Sequence, residues 1–183
     1  MTVHVLATCR DPSLLRMTTL VFETIRVGFP TAQIIVTGNA LHDFAREELQ
    51  DILPKLQVSF SNDEETIHHE WIQKLVETET QPFWILDSDT IFYEAVEDWK
   101  FNTALAGFRT PEWQDEFTNC ITRSRLHPSL LWIDPVKVRA GITAFQSGSP
   151  NTVFTPKVNL FNPLVLPLNG LNYVHDTCSL LYQ

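Results

Sequence analysis

The first ninety residues alternate short apolar runs with longer amphipathic segments, and that alternation leaves few folds open. Val3 to Thr8 is an apolar run of strand length. Asp11 then stands where a helix N-cap belongs, with Pro12 at the first helical position. Leu14, Thr18, Val21, Phe22 and Ile25 fall on one helical face before Gly28 and Pro30 stop the element. Ala32 to Thr37 predicts a second strand, and Gly38-Asn39 a turn into another helix. Leu41, Phe44, Ala45, Leu49 and Ile52 line that helix's inner face, and Pro54 ends it. Leu56 to Phe60 predicts a third strand. Ser61 followed by Glu64 has capping-box spacing and opens a helix striped by Ile67, Trp71, Ile72, Leu75 and Val76. Phe83 to Leu86 predicts a fourth strand that runs straight into Asp87.

Strands separated by helices of this length form βαβ units, which set the strands parallel and cover both faces of the sheet. The expected fold class is therefore α/β: a Rossmann-like, mostly parallel sheet with helices on both faces, in a single domain over residues 1–183. The second half is less regular. Ala104 to Phe108 and Leu130 to Ile133 predict strands, Pro135 to Ala140 a short helix, and Leu168-Asn169-Gly170-Leu171 a hairpin turn.

Composition narrows the function classes. The chain has 183 residues, of which 44% are hydrophobic and 19% charged, as in ordinary globular proteins. No stretch approaches the roughly 18 apolar residues of a membrane helix, and Met1 to Leu6 lacks signal-peptide features, so a cytoplasmic protein is expected. Cys9, Cys120 and Cys178 are odd in number and widely spaced, which argues against a disulfide framework or a structural zinc site. A formal net charge of −9 gives no footprint for grasping nucleic-acid phosphates but suits a site that collects a cation.

The sharpest chemical feature is Phe83-Trp84-Ile85-Leu86-Asp87-Ser88-Asp89-Thr90. Residues two apart in an extended chain face one side, so Asp87 and Asp89 can point together. At the carboxyl end of a central parallel strand they would lie in the crevice where open α/β sheets bind ligands. Two carboxylates that close call for a cation or a proton between them, and hard oxygen donors suit magnesium or manganese. The same Asp-x-Asp spacing also occurs in plain surface turns.

On these residues the chain resembles nucleotide-sugar glycosyltransferases of the GT-A type, whose DxD motif follows the fourth strand as Asp87-Ser88-Asp89 does here. The resemblance implies a nucleotide-binding half over 1–92 and an acceptor and donor-sugar half over 93–183. It implies transfer of a sugar from a UDP- or GDP-sugar to an unidentified acceptor, with Mn2+ or Mg2+ as cofactor. By the same resemblance Asp89 binds the metal directly, while Asp87 contacts ribose or metal-bound water. Thr8, Cys9 and Arg10 line the nucleoside pocket, as do Thr37, Gly38 and Asn39, although many members carry an aspartate where Asn39 stands. His175 resembles the C-terminal histidine that completes the metal sphere in several GT-A families. Ser129 and Trp132 resemble the strand that supports the sugar.

Glycosyl transfer also needs a grip on the leaving diphosphate, for which Arg10 and Arg109 are candidates, and in inverting enzymes a carboxylate base. Asp115 and Asp176 are the leading candidates for that base, with Glu112 and Glu116 beside Asp115. His68 and His69 are expected on a helix surface away from the crevice, and His127 in a structural role. Three other readings compete. One is a HAD-like phosphohydrolase with Asp87 as nucleophile and Asp89 as acid/base. The others are a nucleotidyltransferase on a similar fold and a non-catalytic interaction domain.

Overall fold

The computed structural model describes residues 1–56, 59–63, 65–115, 120–122, 125–148, 164–168 and 171–175. Strands β1 (Thr2–Ala7), β2 (Gln33–Asn39), β3 (Ser59–Asp63) and β4 (Phe83–Asp87) lie parallel in the order β3-β2-β1-β4. Next to β4 comes β8 (Arg125–Ile133), antiparallel to it, and then β5 (Leu105–Thr110), antiparallel to β8, which completes a six-stranded sheet. Within this sheet β8 alone runs against the rest. The expected α/β class, with a mostly parallel sheet, is what the chain adopts.

The period-2 alternation of the strands divides the core into two layers. Val3, Val5 and Ala7 of β1, Ile34 and Val36 of β2, and Trp84 and Leu86 of β4 pack with Phe22 and Ile25 of α1 (Leu15–Gly28). Ala45 and Leu49 of α2 (Asp43–Ile52) join the same layer. On the other face Leu6, Phe83, Ile85, Leu131 and Ile133 meet Trp71, Ile72 and Val76 of α3 (His68–Thr78) and Val138 of α4 (Pro135–Gly148). Both faces of β1 and β4 are thus dry, which is why these strands read as nearly continuous apolar runs. Each fully buried large side chain, such as Phe22, Trp84 or Ile85, contributes about 1.5–3 kcal/mol.

Several local expectations move. Asp11 does cap a helical start, its carboxylate accepting from the Ser13 N–H at 2.8 Å, but the first turn is a 3-10 turn over Pro12–Leu14. Gly38 and Asn39 stay in β2, paired in register with β3, and the reversal falls at Ala40, whose φ of 46° is left-handed. The third strand begins at Ser59 rather than Leu56. Ser61 pairs with Thr37 inside it, so the capping box does not form, and α3 starts at His68 behind an Ile67 N-cap that makes no side-chain bond. Five ladder positions in a sheet outweighed one local cap. Leu14 and Ile67, expected on inner faces, are 51% and 52% exposed. The helix at Pro135 runs on to Gly148, its start capped by Asp134, which accepts from the Lys137 N–H at 3.1 Å.

β8 carries Pro128 although it is an interior strand, and proline has no N–H to donate to a ladder. The register with β5 shifts between Gly107 and Arg109, opposite this stretch. His127 Nδ1 contacts the Ser129 hydroxyl at 2.6 Å across the proline. A second, four-stranded sheet contains β6 (Trp113–Asp115), β7 (Cys120–Thr122), β9 (Leu164–Leu168) and β10 (Leu171–His175) in the order β6-β7-β10-β9. Leu168 lies opposite Leu171, so β9 and β10 form the hairpin that Asn169-Gly170 announced. Among the described residues no helix is long and apolar enough to cross a membrane.

The end of α1 is a tie point. Val96 and Glu97 donate their N–H groups to the Gly28 carbonyl at 2.9 and 3.1 Å, and Phe92 lies so close that a Cβ on Gly28 would come within 2.3 Å of a ring carbon. That ring is buried and backed edge-on by Phe29. Gly28→Ala should therefore cost about 1–3 kcal/mol by overpacking. Urea unfolding should show the loss, and a Phe92→Ala background should remove it.

His4 sits in β1 on the α3 face, 4% exposed, edge-on to Phe83, with Nε2 3.1 Å from Glu79 Oε1. Burial pushes its pKa below the ordinary 6.5, and Glu79 only partly opposes this. The unfolded chain therefore takes up a proton that the fold resists. His4's contribution to stability should be complete above about pH 6.5 and drain away as pH falls through the lowered folded pKa. Between about pH 8 and 5 the urea midpoint of wild type should fall relative to that of His4→Phe as the pH drops; parallel curves would remove His4 from the linkage.

Candidate functional site

The order β3-β2-β1-β4 reverses between β1 and β4, and open α/β sheets leave a crevice beyond the carboxyl ends of the strands at such a switch point. Here that crevice is a pocket of about 380 Å3. Its floor is Leu6 and Thr8 from the end of β1. One flank is Leu14, Met17 and Thr18 from the start of α1, and the other His68 from the start of α3. Asn39 closes the β2 side, and Asp87, Ser88 and Asp89 the β4 side.

The pleat explains which side chains arrive there. Leu6 pairs with Thr37 on one side and Asp87 on the other, so these three share the face toward α3. Asp87 continues the inward series Phe83, Ile85 and lies where the apolar layer ends, with 24% of its side chain exposed. Asp89 is more exposed and sits on the turn beyond β4.

Main-chain pins hold the turn that carries both acids. The Ser88 hydroxyl donates to the Thr8 carbonyl at 3.2 Å and accepts from the Thr8 N–H at 3.3 Å, extending the β1–β4 ladder by one side-chain rung. Thr90 Oγ1 donates to the Ser129 carbonyl at 2.6 Å, at the irregular stretch of β8. Ser88 is thereby a fastener between the acids. Asn39 is spent in the same way: its Oδ1 accepts from the Thr66 N–H at 2.8 Å, and its Nδ2 donates to Thr8 Oγ1 at 3.5 Å. It is 7% exposed and fixes the chain leading into α3.

Not every expected residue reaches the pocket with its side chain. Cys9 is wholly buried, its Sγ 3.6 Å from the Asp11 carbonyl, so it faces the core. Arg10 stands at the rim, its Nη2 2.9 Å from Glu65 Oε1, both side chains more than half exposed. Arg109 lies on β5, two strand spacings or roughly 10 Å from β4, and is exposed. Trp132 packs against Trp84 and Phe101 in the α1 layer, so it supports the core instead of offering a face to a sugar. Asp115 is the last residue of β6, paired with Cys120, in the second sheet. His175 ends β10, one residue past Val174, which pairs with Thr122. Thr122 lies three positions before Arg125, whose partner Thr110 marks the carboxyl end of β5. Asp176 and Glu116 lie outside the described residues.

The residue that sequence reasoning missed is His68. Expected on a surface away from the crevice, it opens α3 beside the pocket, with Nε2 3.4 Å from Asp87 Oδ1. Nothing local marks it, because the pairing joins positions nineteen apart through an intervening helix. Among the described residues no three His, Cys, Asp or Glu side chains are gathered to hold an ion by themselves. Asp87 and Asp89 nonetheless share one pocket as hard oxygen donors, which fits a magnesium- or manganese-type ion whose other positions go to waters and phosphate oxygens. Lys137, which a phosphohydrolase reading would want at the acids, instead contacts Asn102 and Asp134 at 3.0 and 3.4 Å beside α4.

Asn39→Ala should remove the hydrogen bond to the part-buried Thr66 N–H and cost about 0.5–1.5 kcal/mol, measured by chemical denaturation. Asn39→Asp keeps the acceptor and should cost less.

No protein-family model matches the chain, and no curated protein does. Among solved structures it is similar to a mannosyltransferase, PcManGT from Pyrobaculum calidifontis, in complex with GDP-Man and Mn2+. The identity is 12% and the TM-score 0.44, over 72% of this chain and 44% of that one. The chain thus spans less than half the length of that protein.

Proposed function

We propose that the chain is a metal-dependent glycosyltransferase that takes a nucleotide-diphosphate sugar, a UDP- or GDP-sugar, at the β1–β4 crevice. The observation that carries this reading is the pair Asp87 and Asp89 in one pocket at the switch point of a mostly parallel sheet. The size of the pocket is in the range of small-ligand sites. The GT-A resemblance of the DxD segment points the same way.

In this reading Asp89 and Asp87 hold Mn2+ or Mg2+. When bound, the ion neutralises the charge that builds on the departing diphosphate. Arg10, exposed at the rim and paired with an exposed carboxylate, swings to the phosphate oxygens, where a guanidinium can bind two at once. Leu14 and Met17, unusually exposed for their type at 51% and 43%, give the pocket an apolar flank suited to the face of a ring. Thr8 and Asn39 position that flank's opposite wall through their mutual bond. Arg109 is the second cation of the donor half's margin, and His175 the nitrogen ligand that the GT-A resemblance implies. The second sheet supplies the acceptor side, where Asp115 and Asp176 are the candidate bases.

Asp89→Ala should abolish manganese-dependent binding of a nucleoside diphosphate while leaving the fold intact, because the side chain is exposed and packs against nothing in the core. Calorimetric titration of UDP and GDP, with and without Mn2+, reads this out. Binding that survives the substitution would remove the metal from Asp89.

A further inference from the structure

The contact between His68 and Asp87 has a consequence for the acid pair. We propose that His68 is the positioning residue for Asp87. Nε2 stands 3.4 Å from Oδ1 with no hydrogen bond formed between them, and a small turn of the carboxylate would bring Oδ1 within reach of an Nε2 proton that holds Asp87 toward the pocket. The inference rests on the metal-binding reading above and deepens it.

The fold gives His68 this place by several independent means. α3 is anchored by Trp71, Ile72 and Val76, whose burial fixes the helix along the sheet. The chain leading into it is held by the bond from the Thr66 N–H to Asn39 Oδ1, so the first residue of α3 is aimed and not frayed. The imidazole lies tilted over Trp71 at 6.2 Å between ring centroids, which narrows its rotamers. Nε2 comes within 3.4 Å of Asp87 Oδ1, and both side chains are mostly shielded, at 29% and 24% exposure. Screening by water is correspondingly reduced there. The main chain that carries Asp87 is itself fixed, because the neighbouring Ser88 is bonded to both the N–H and the carbonyl of Thr8.

The physical reason for such a partner lies in the acid pair itself. Two carboxylates in one pocket repel, and a rotatable side chain relieves that repulsion by turning outward when no cation is present. A donor on the far side of Asp87 keeps it turned inward. Hydrogen bonds from outer partners to ligating groups typically change metal affinity 10–100-fold. Asp89, on the exposed turn, is left to adjust to the ion.

The test measures Mn2+ alone on the full chain from the paramagnetic resonance signal of the free aqueous ion. His68→Ala should weaken Mn2+ binding by about 10–100-fold. His68→Gln, which offers an amide N–H, should recover most of that loss and guards against a folding defect. In an Asp87→Asn background His68→Ala should have no further effect. Three results would each overturn the proposal: His68→Ala binding Mn2+ as wild type does, equal weakening in the Asp87→Asn background, or nitrogen coupling to the bound Mn2+ that His68→Ala removes. The last would make His68 a direct ligand. If Asp89→Asn abolishes Mn2+ binding and His68→Ala does not weaken it, only the positioning role fails. If the wild-type chain binds no Mn2+, the metal reading fails with it.

Discussion

Everything in this chain hangs on the pair β1 and β4, two adjacent parallel strands dry on both faces. Because they run parallel and in register, Leu6 opposite Asp87, they reach the carboxyl edge of the sheet at the same level. There the helical layers no longer cover them, and backbone groups that would be orphaned need partners. Ser88 supplies them by bonding to both main-chain groups of Thr8. The same step that ends the ladder places an acid on each side of Ser88 at the mouth of a crevice. The site is thus where the packing runs out, and its first polar residues are fixed by the last rung of the sheet.

How much of this the sequence disclosed depends on whether burial or pairing shapes each element. β1, α1, β2 and β4 were legible because their side chains meet the core, and burial leaves runs and stripes that a reader can count. β3 was displaced by three residues because it is an edge strand held by its backbone. Ser59, Ser61 and Asn62 carry no apolar signal, and the Ser61–Glu64 spacing imitates a helix start. Asn39 was legible as a polar residue at a strand end but not as a brace, since its partners Thr8 and Thr66 are set by three strands coming together. The acid pair was found because it is contiguous. His68 was not, because its relation to Asp87 exists only once α3 is laid across the sheet.

The second half was harder for a related reason. β8 must serve as an interior strand while carrying Pro128, and the sheet accommodates this with a register shift against β5. That irregularity is at the carboxyl edge, beside the acids, where the Ser129 carbonyl accepts from Thr90. The stretch that makes the strand hard to read thus also presents the acceptor that steadies the turn after Asp89.

These pins bear on what the pocket can do before any ligand arrives. Asp87 is approached from one side by His68 and its turn is tied from the other by Ser88 and Thr90, so folding has already met the entropy of aligning it. Arg10 and Asp89 are exposed and held by little, so their ordering falls to binding. A site divided in this way places its rigid half against the sheet and its adjustable half toward solvent. Such a division favours a ligand with a compact charged centre and a variable remainder, because only the centre meets preorganised groups. Specificity for the remainder must then come from the outer elements, the start of α1 with Leu14 and Met17 and the second sheet that ends at His175. Changes confined to those elements would alter which ligand is held without disturbing the β1–β4 ladder that holds it.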